Sequence, residues 1–233
     1  MGTLLNRRRY MGKVNSILPA SSYIQDGLIA MYDGIENAGA GQHSDSATTW
    51  KDLSGHGWDL TLAGVGSSSW QDDHYNFVAG SSTAGKRFTV DATDMGSVKT
   101  LEFCLYDSVT TNLLHYRNDF IFSIDGRYGG FAYKWIGTSG GAKAFPLGEI
   151  SGSIDVDNNI MYRNNTLCEA QSSGRLIATD NSELIVGSVK NNGYRGYTTF
   201  KLFSLRLYNK VLTAEERTHN YELDVQRFGL ETT

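Results

Sequence analysis

Apolar residues in this chain mostly alternate with polar ones, the period of strands half-buried on one face. TLEFCLYDS, residues 100–108, places Leu101, Phe103 and Leu105 on one face and Glu102, Cys104 and Tyr106 on the other. KRFTVD, 86–91, sets Phe88 and Val90 against Arg87 and Thr89. Similar short runs are GLIAMYDG (27–34), DLTL (59–62), NFVAG (76–80), DFIFSIDG (119–126) and GGFAYKWIG (129–137). SGSIDVD, IMYRNN, LIATD, ELIVGSV and TTFKLFSLRLYN follow. Turn signals such as SGHG at 54–57 and Asp125-Gly126 separate them. About a dozen strands result, enough for two antiparallel sheets packed face to face. No repeat of 20–50 residues is visible.

One segment breaks this period. Thr213-Ala214-Glu215-Glu216 is a capping box, in which the Thr213 hydroxyl accepts from the Glu216 amide and the Glu216 carboxylate accepts from the Thr213 amide. Beyond it Tyr221, Val225 and Phe228 fall at i, i+4 and i+7, with Glu222, Asp224 and Arg227 off that stripe. The spacing predicts one C-terminal helix over about residues 214–228, lying on the sandwich through its apolar stripe. The opposite end, residues 1–25, has no clear period and contains Pro19 and Ser21-Ser22, so it reads as an arm before a body of residues 26–233.

Composition agrees with strands and turns: 26 glycines and 13 tyrosines, only two prolines, and 40% hydrophobic residues, enough to bury a core. Of the 21 basic residues, Arg7, Arg8, Arg9 and Lys13 lie in the arm, where there is no acid, so 17 face all 25 acids in the remainder. An acidic body with a basic arm speaks against nucleic-acid binding by the folded part. Cys104 and Cys168 are too few and too far apart for a disulfide framework or a zinc site; they read as buried thiols, with one bridge between them left open. There is no run of 18 apolar residues for a membrane span, and MGTLLNRRRYMGK lacks the apolar core of a secretory signal.

Two segments resemble a known family. Trp50-Lys51-Asp52-Leu53-Ser54-Gly55-His56-Gly57-Trp58-Asp59-Leu60 is similar to the opening W-x-D-x-S-G-x-G-x-x-L of laminin-G-like, concanavalin A-like jelly rolls. The run from Phe203 to Glu216, with Arg206-Leu207-Tyr208-Asn209 and Leu212-Thr213-Ala214-Glu215-Glu216, resembles that family's closing strand and helix start. Together they bracket about residues 26–228. The resemblance implies an all-β jelly-roll sandwich with a C-terminal helix. LLNRRRYMG (4–12) followed by YIQDGLIAMYDGIENAG is similar to N-termini of jelly-roll proteins encoded by bacteriophages and prophages of gut bacteria. That implies a non-catalytic module of a virion, assembled in the host cytoplasm, for decoration or adhesion. The alternatives are a secreted or cell-surface carbohydrate-binding domain and a glycoside hydrolase.

Glucanases of this fold carry E-x-D-x-x-E on one strand, so that nucleophile and acid flank the glycosidic bond. Glu149, Asp155 and Asp157 are the nearest approach; the third carboxylate is missing and Gly152 interrupts the strand, so hydrolysis is not expected. Nor is there a G-x-S-x-G, H-E-x-x-H or phosphate-binding loop, and His43, His56 and His74 stand in separate polar segments. No cofactor is required. The resemblance allows one structural calcium, for which Asp33, Asp52 and Asp59, with Asp72 and Asp73, offer loop oxygens; turn-forming aspartates bonding their own backbone are the competing account. For glycans the candidates are Trp70, Asp72 and His74, and the Gly-flexed run with Asn192, Tyr194, Arg195 and Tyr197. Phe131, Tyr133 and Trp135 alternate on one strand face, more the habit of a core than of a stacking platform. Arg7, Arg8, Arg9 and Tyr10, with Leu4 and Leu5, are the residues expected to anchor the arm to other virion or surface proteins, in a homo-oligomer or larger assembly.

Overall fold

A computed structural model describes residues 18–78, 85–107, 111–117, 120–125, 130–135, 148–156, 158, 160–168, 182–190, 194–195 and 199–230. In chain order the strands are β1 (Leu28–Asp33), β2 (Thr49–Trp50), β3 (Leu60–Ala63), β4 (Ser69–Trp70), β5 (Tyr75–Phe77), β6 (Arg87–Asp91), β7 (Thr100–Asp107) and β8 (Thr111–Tyr116). Then come β9 (Phe120–Asp125), β10 (Gly130–Trp135), β11 (Gly148–Asp155), β12 (Ile160–Arg163), β13 (Thr166–Cys168), β14 (Glu183–Val186), β15 (Val189–Lys190), β16 (Tyr194–Arg195) and β17 (Phe200–Tyr208). Helix α1 (Ala214–Phe228) closes the chain. The strand count exceeds the dozen expected because β2, β4, β15 and β16 are two-residue segments, too short to show any period. Strand β8 was also missed: in TNLLHY the adjacent Leu113 and Leu114 hide the alternation.

Two antiparallel sheets form the expected all-β sandwich. The first runs β13-β12-β11-β7-β17-β5-β4, with β1 pairing the other half of β17's free edge; the second runs β10-β9-β8-β14-β6-β3-β2. Between them lies one core containing Leu101, Phe103, Leu105, Leu205 and Leu207 from the first sheet and Phe88, Leu114, Leu184 and Val186 from the second. The alternation read from TLEFCLYDS therefore points inward as predicted. Gly152 does not interrupt its strand. It sits opposite Phe103 in the β11–β7 register, and a Cβ there would lie 2.2 Å from the Phe103 ring, so the missing side chain admits the aromatic to the core.

The helix occupies the predicted span with both halves of its capping box formed and an αL cap at Gly229. How it docks differs from expectation. Its buried face is Asn220, Leu223, Asp224, Arg227 and Phe228, whereas Tyr221 and Val225 are only partly buried. Asp224 and Arg227, placed off the apolar stripe in the sequence, are fully buried because opposite charges wait on the sheet. Arg206 of β17 donates Nη1 and Nη2 to the two Asp224 oxygens, each at 2.9 Å, and Nε to Glu102 of β7 at 3.1 Å. Asn220 donates to the same Glu102 at 2.7 Å. Arg227 pairs with Asp33 at the end of β1, 2.8 Å, and with Glu36 at 3.2 Å.

The assumed boundary at residue 26 also shifts. Residues 18–25 are not arm: Tyr23 is buried, with the Arg206 guanidinium 4.0 Å from its ring centroid, and its hydroxyl donates to Asp224 at 2.7 Å. The amide of Ala20 donates to Glu36, that of Ile24 to Asn220, and Arg227 donates to the carbonyl of Leu18. The short segment is a latch pressed between helix and sheet. Arg7, Arg8, Arg9 and Tyr10 lie outside the described residues.

Removing one partner from a buried ion pair strands the other in low dielectric, so Asp224→Ala should cost about 3–5 kcal/mol, read as the loss in urea-unfolding free energy. Deleting residues 1–25 should abolish cooperative unfolding, because it removes Tyr23 from the buried cluster.

The cluster holds four carboxylates (Glu102, Asp224, Asp33 and Glu36) against two guanidiniums. Burial pushes Glu102 above the ordinary carboxylate range, Arg206 and Asn220 only partly opposing it; burial likewise raises Asp33 against the pull of Arg227. A raised folded-state value means stability fully present below the usual carboxylate range and lost as pH rises through the raised values. The urea midpoint should fall as pH rises above the usual carboxylate range, and Glu102→Gln should flatten that slope.

Candidate functional site

The loops expected to carry function gather where β1 ends and the β4–β5 hairpin turns. Asp33 Oδ1 accepts from the amides of Ile35 and Glu36, starting the loop with an Asx turn. Gly34 then passes so close to the hairpin that a Cβ would lie 2.3 Å from the Asp73 carbonyl oxygen. Buried Asn37 clamps the loop to Ser44 from both ends of its amide, accepting at 2.8 Å and donating at 3.0 Å. Glu36 Oε2 accepts from the Gly41 amide at 2.9 Å. His43 contacts the Gly34 carbonyl through Nδ1 and Asp45 through Nε2, both at 2.9 Å. The loop is thus held at both ends and across its middle.

Trp70 stands beside this loop but not as a rim platform. Its indole is 4% exposed, packs edge-on at 4.9 Å against both Trp50 and Tyr75, and donates to the Ala47 carbonyl. Its polar neighbours in sequence gave no sign that a two-residue strand would turn it inward. His74 is also buried, its ring 5.0 Å from Phe203 and its Nδ1 2.5 Å from Asp73. Of the three hairpin candidates only Asp72 reaches solvent, next to exposed Gln71. The rim presents Asp72, Gln71, partly exposed His43 and the 76%-exposed side chain of Asp45, the last two missed as site residues because nothing in sequence places them beside the hairpin. The His43–Trp70 ring contact of 6.5 Å joins the two segments.

The three aspartates proposed for calcium bond their own chain instead. Asp33 faces Arg227. Asp52 accepts from the amides of Met31, Ser54 and Trp58 and from the Ser54 hydroxyl, tying the loop after β2 to β1. Asp59 accepts from the Asp52 amide and from Lys51, 2.5 Å away. The opening motif is therefore a structural tie, and among the described residues no three acidic, His or Cys side chains gather for a metal. Asp155 likewise serves a turn, both of its oxygens accepting from Asn158.

Several candidates are placed only in part. Tyr194 and Arg195 form β16, paired with β15; Phe131, Tyr133 and Trp135 lie on β10 at an edge of the second sheet; Glu149 sits opposite Tyr106. The side chains of those residues, and all of Asn192, Tyr197 and Asp157, lie outside the described residues, as does the side chain of Cys168. Cys104 is buried beside Phe203, Phe228 and Leu230.

Asp52→Ala should leave three amides and a hydroxyl without their acceptor and cost at least about 1–3 kcal/mol.

No family model matches the chain, and no curated protein matches it in sequence. In fold it is similar to Trypanosoma rangeli sialidase in complex with sialic acid, with a TM-score of 0.60 and 14% identity over 95% of this chain and 37% of that one. A mutant of that sialidase displaying trans-sialidase activity gives 0.58 and 12% over 98% and 39%. The binding domain of Paraclostridial Mosquitocidal Protein 1 gives 0.58 and 15% over 84% and 52%. The chain thus spans between about a third and about half of each of these chains. At such identities the likeness shows a shared fold, a β-sandwich, and nothing more.

Proposed function

We propose that this chain is a non-catalytic saccharide-binding sandwich of the laminin-G-like type, carried on a virion through residues 1–17. The observation that carries the binding half is the bracing of the rim. Asn37, Glu36 and Gly34 fix the loop that presents His43 and Asp45 beside Gln71 and Asp72. A polar ligand gains little per contact, so a surface that need not reorder on binding keeps most of that gain. The chains it resembles in part include a sialidase in complex with sialic acid and a domain named for binding, which supports a saccharide as ligand class. The virion half rests on the likeness of LLNRRRYMG to phage-encoded N-termini. Cell-surface binding and hydrolysis are the competing readings, the second favoured by the sialidase likeness.

A glycan array should return a bound class, retained in EDTA because Asp33, Asp52 and Asp59 already have partners, and reduced by Asp72→Ala. A blank array overturns the saccharide reading. Incubating the bound glycan with the protein should release no sugar, and release would establish a hydrolase. Protein lacking residues 1–17 should stay folded and fail to join particles, whereas undiminished incorporation would remove the tether.

A further inference from the structure

The latch, residues 18–25, is fastened to the body by contacts far apart in sequence, and among the described residues no strand ladder includes it. The Ala20 amide donates to Glu36 at 2.7 Å, the Tyr23 hydroxyl to Asp224 at 2.7 Å and the Ile24 amide to Asn220 at 3.0 Å. His219 Nε2 contacts the Ser22 carbonyl at 2.9 Å, and Arg227 donates to that of Leu18. Tyr23 enters a socket lined by the Arg206 and Arg227 guanidiniums, 4.0 and 5.8 Å from its ring centroid. That socket is made by α1, β17 and the loop after β1, so it reads the shape and donors of the segment, whichever chain supplies it.

Only Asp26 and Gly27 separate the latch from β1. They turn the chain back, the Leu28 amide donating to the Gln25 carbonyl at 3.1 Å and Gly27 holding a φ of +73°. The turn is tightly packed: a Cβ on Gly27 would lie 2.9 Å from the Asn209 and Lys210 side chains. A straightened hinge needs no left-handed residue, and glycine adopts it at no steric cost. From Gln25 to Leu28 it then spans up to about 10 Å, enough to carry the latch to a neighbour. Ahead of the latch, residues 1–17 hold Arg7, Arg8, Arg9 and Lys13 and no acid, whereas residues 18–233 hold 17 bases and 25 acids. A second copy therefore offers both the socket that fits the latch and a body of opposite charge to the segment that precedes it.

We infer that the latch is exchanged between copies: residues 18–25 of one chain occupy the socket of a second, which returns its own, and the two form a reciprocal dimer. This goes beyond the saccharide and virion readings and depends on neither. Monomer and dimer contain the same latch contacts, so no charge of the buried cluster is left bare in either. What differs is the hinge, bent in the monomer and straight in the dimer, together with the attraction between each basic segment and its acidic neighbour. Because each hinge reaches only about 10 Å, the two β1 starts face one another across the two-fold axis. Tyr23 of each copy completes the cluster of the other.

Sedimentation of the full chain, taken through its urea midpoint and returned to buffer, should show a dimer whose share grows with concentration and falls with added salt. Gly27→Ala strains only the bent hinge, twice per dimer, and should raise the association constant at least about ten-fold. A photo-crosslinking residue at Ser22, in a mixture of ordinary and isotopically heavy chains, should join latch to α1 between a light and a heavy copy in the dimer fraction and within one copy in the monomer. The cross-linking needs no hinge variant, so it decides the matter even if Gly27→Ala does not fold. A chain that stays monomeric at every concentration, with and without Gly27→Ala, overturns the inference. So does a dimer indifferent to salt or to Gly27→Ala, or one whose latch-to-helix cross-links all lie within a single copy, since other surfaces would then hold it.

Discussion

Two guanidiniums buried among four carboxylates hold the ends of this molecule together. Arg206 projects from the central strand of the first sheet, Arg227 from the helix, and Tyr23 from the N-terminal latch, its ring near both. Each charge is costly to bury alone and tolerable only with its partners in place. The cluster therefore couples the latch and α1, which belong to no ladder, to β1, β7 and β17 of the first sheet: they assemble together or leave a naked charge. Asp224 is its centre, accepting from Arg206 twice, from Tyr23 and from Ser151. Each Asp224 oxygen thus accepts two bonds, which is what makes this polar interior specific in its geometry.

The apolar core works by different rules and explains why the rim is stiff. Trp50, Trp70, Tyr75 and Phe88 meet edge to face under the very loops that carry the exposed polar residues. The rim loops are short bridges over an aromatic floor, tied by Asn37, Asp52 and Glu36. Side chains that look like ligands in sequence, above all Asp33 and Asp52, are the ties.

What could be read from sequence follows the range of the interactions involved. Alternation along TLEFCLYDS and the Thr213–Glu216 capping box are local, and strand and helix came out where those signals stand. The docking face of the helix is not local: Asp224 is buried because of Glu102 and Arg206, and Arg227 because of Asp33, nearly two hundred residues away. No window over 214–228 contains that information, and a charged residue on a helix is ordinarily solvated. Trp70 failed for the same reason, since its core neighbours Trp50 and Phe88 come from other strands. The W-x-D-x-S-G-x-G motif identified the sandwich correctly, but its aspartate does structural bonding that spacing cannot separate from metal ligation.

The contact between Arg227 and the Leu18 carbonyl brings the entry of the chain to the exit of the helix. A pull on the leading segment is then met by the latch and the charged cap before it reaches any ladder of strand pairs. A load applied there would strip partners from the buried guanidiniums first, so the force-bearing contacts and the thermodynamic keystone are the same few side chains.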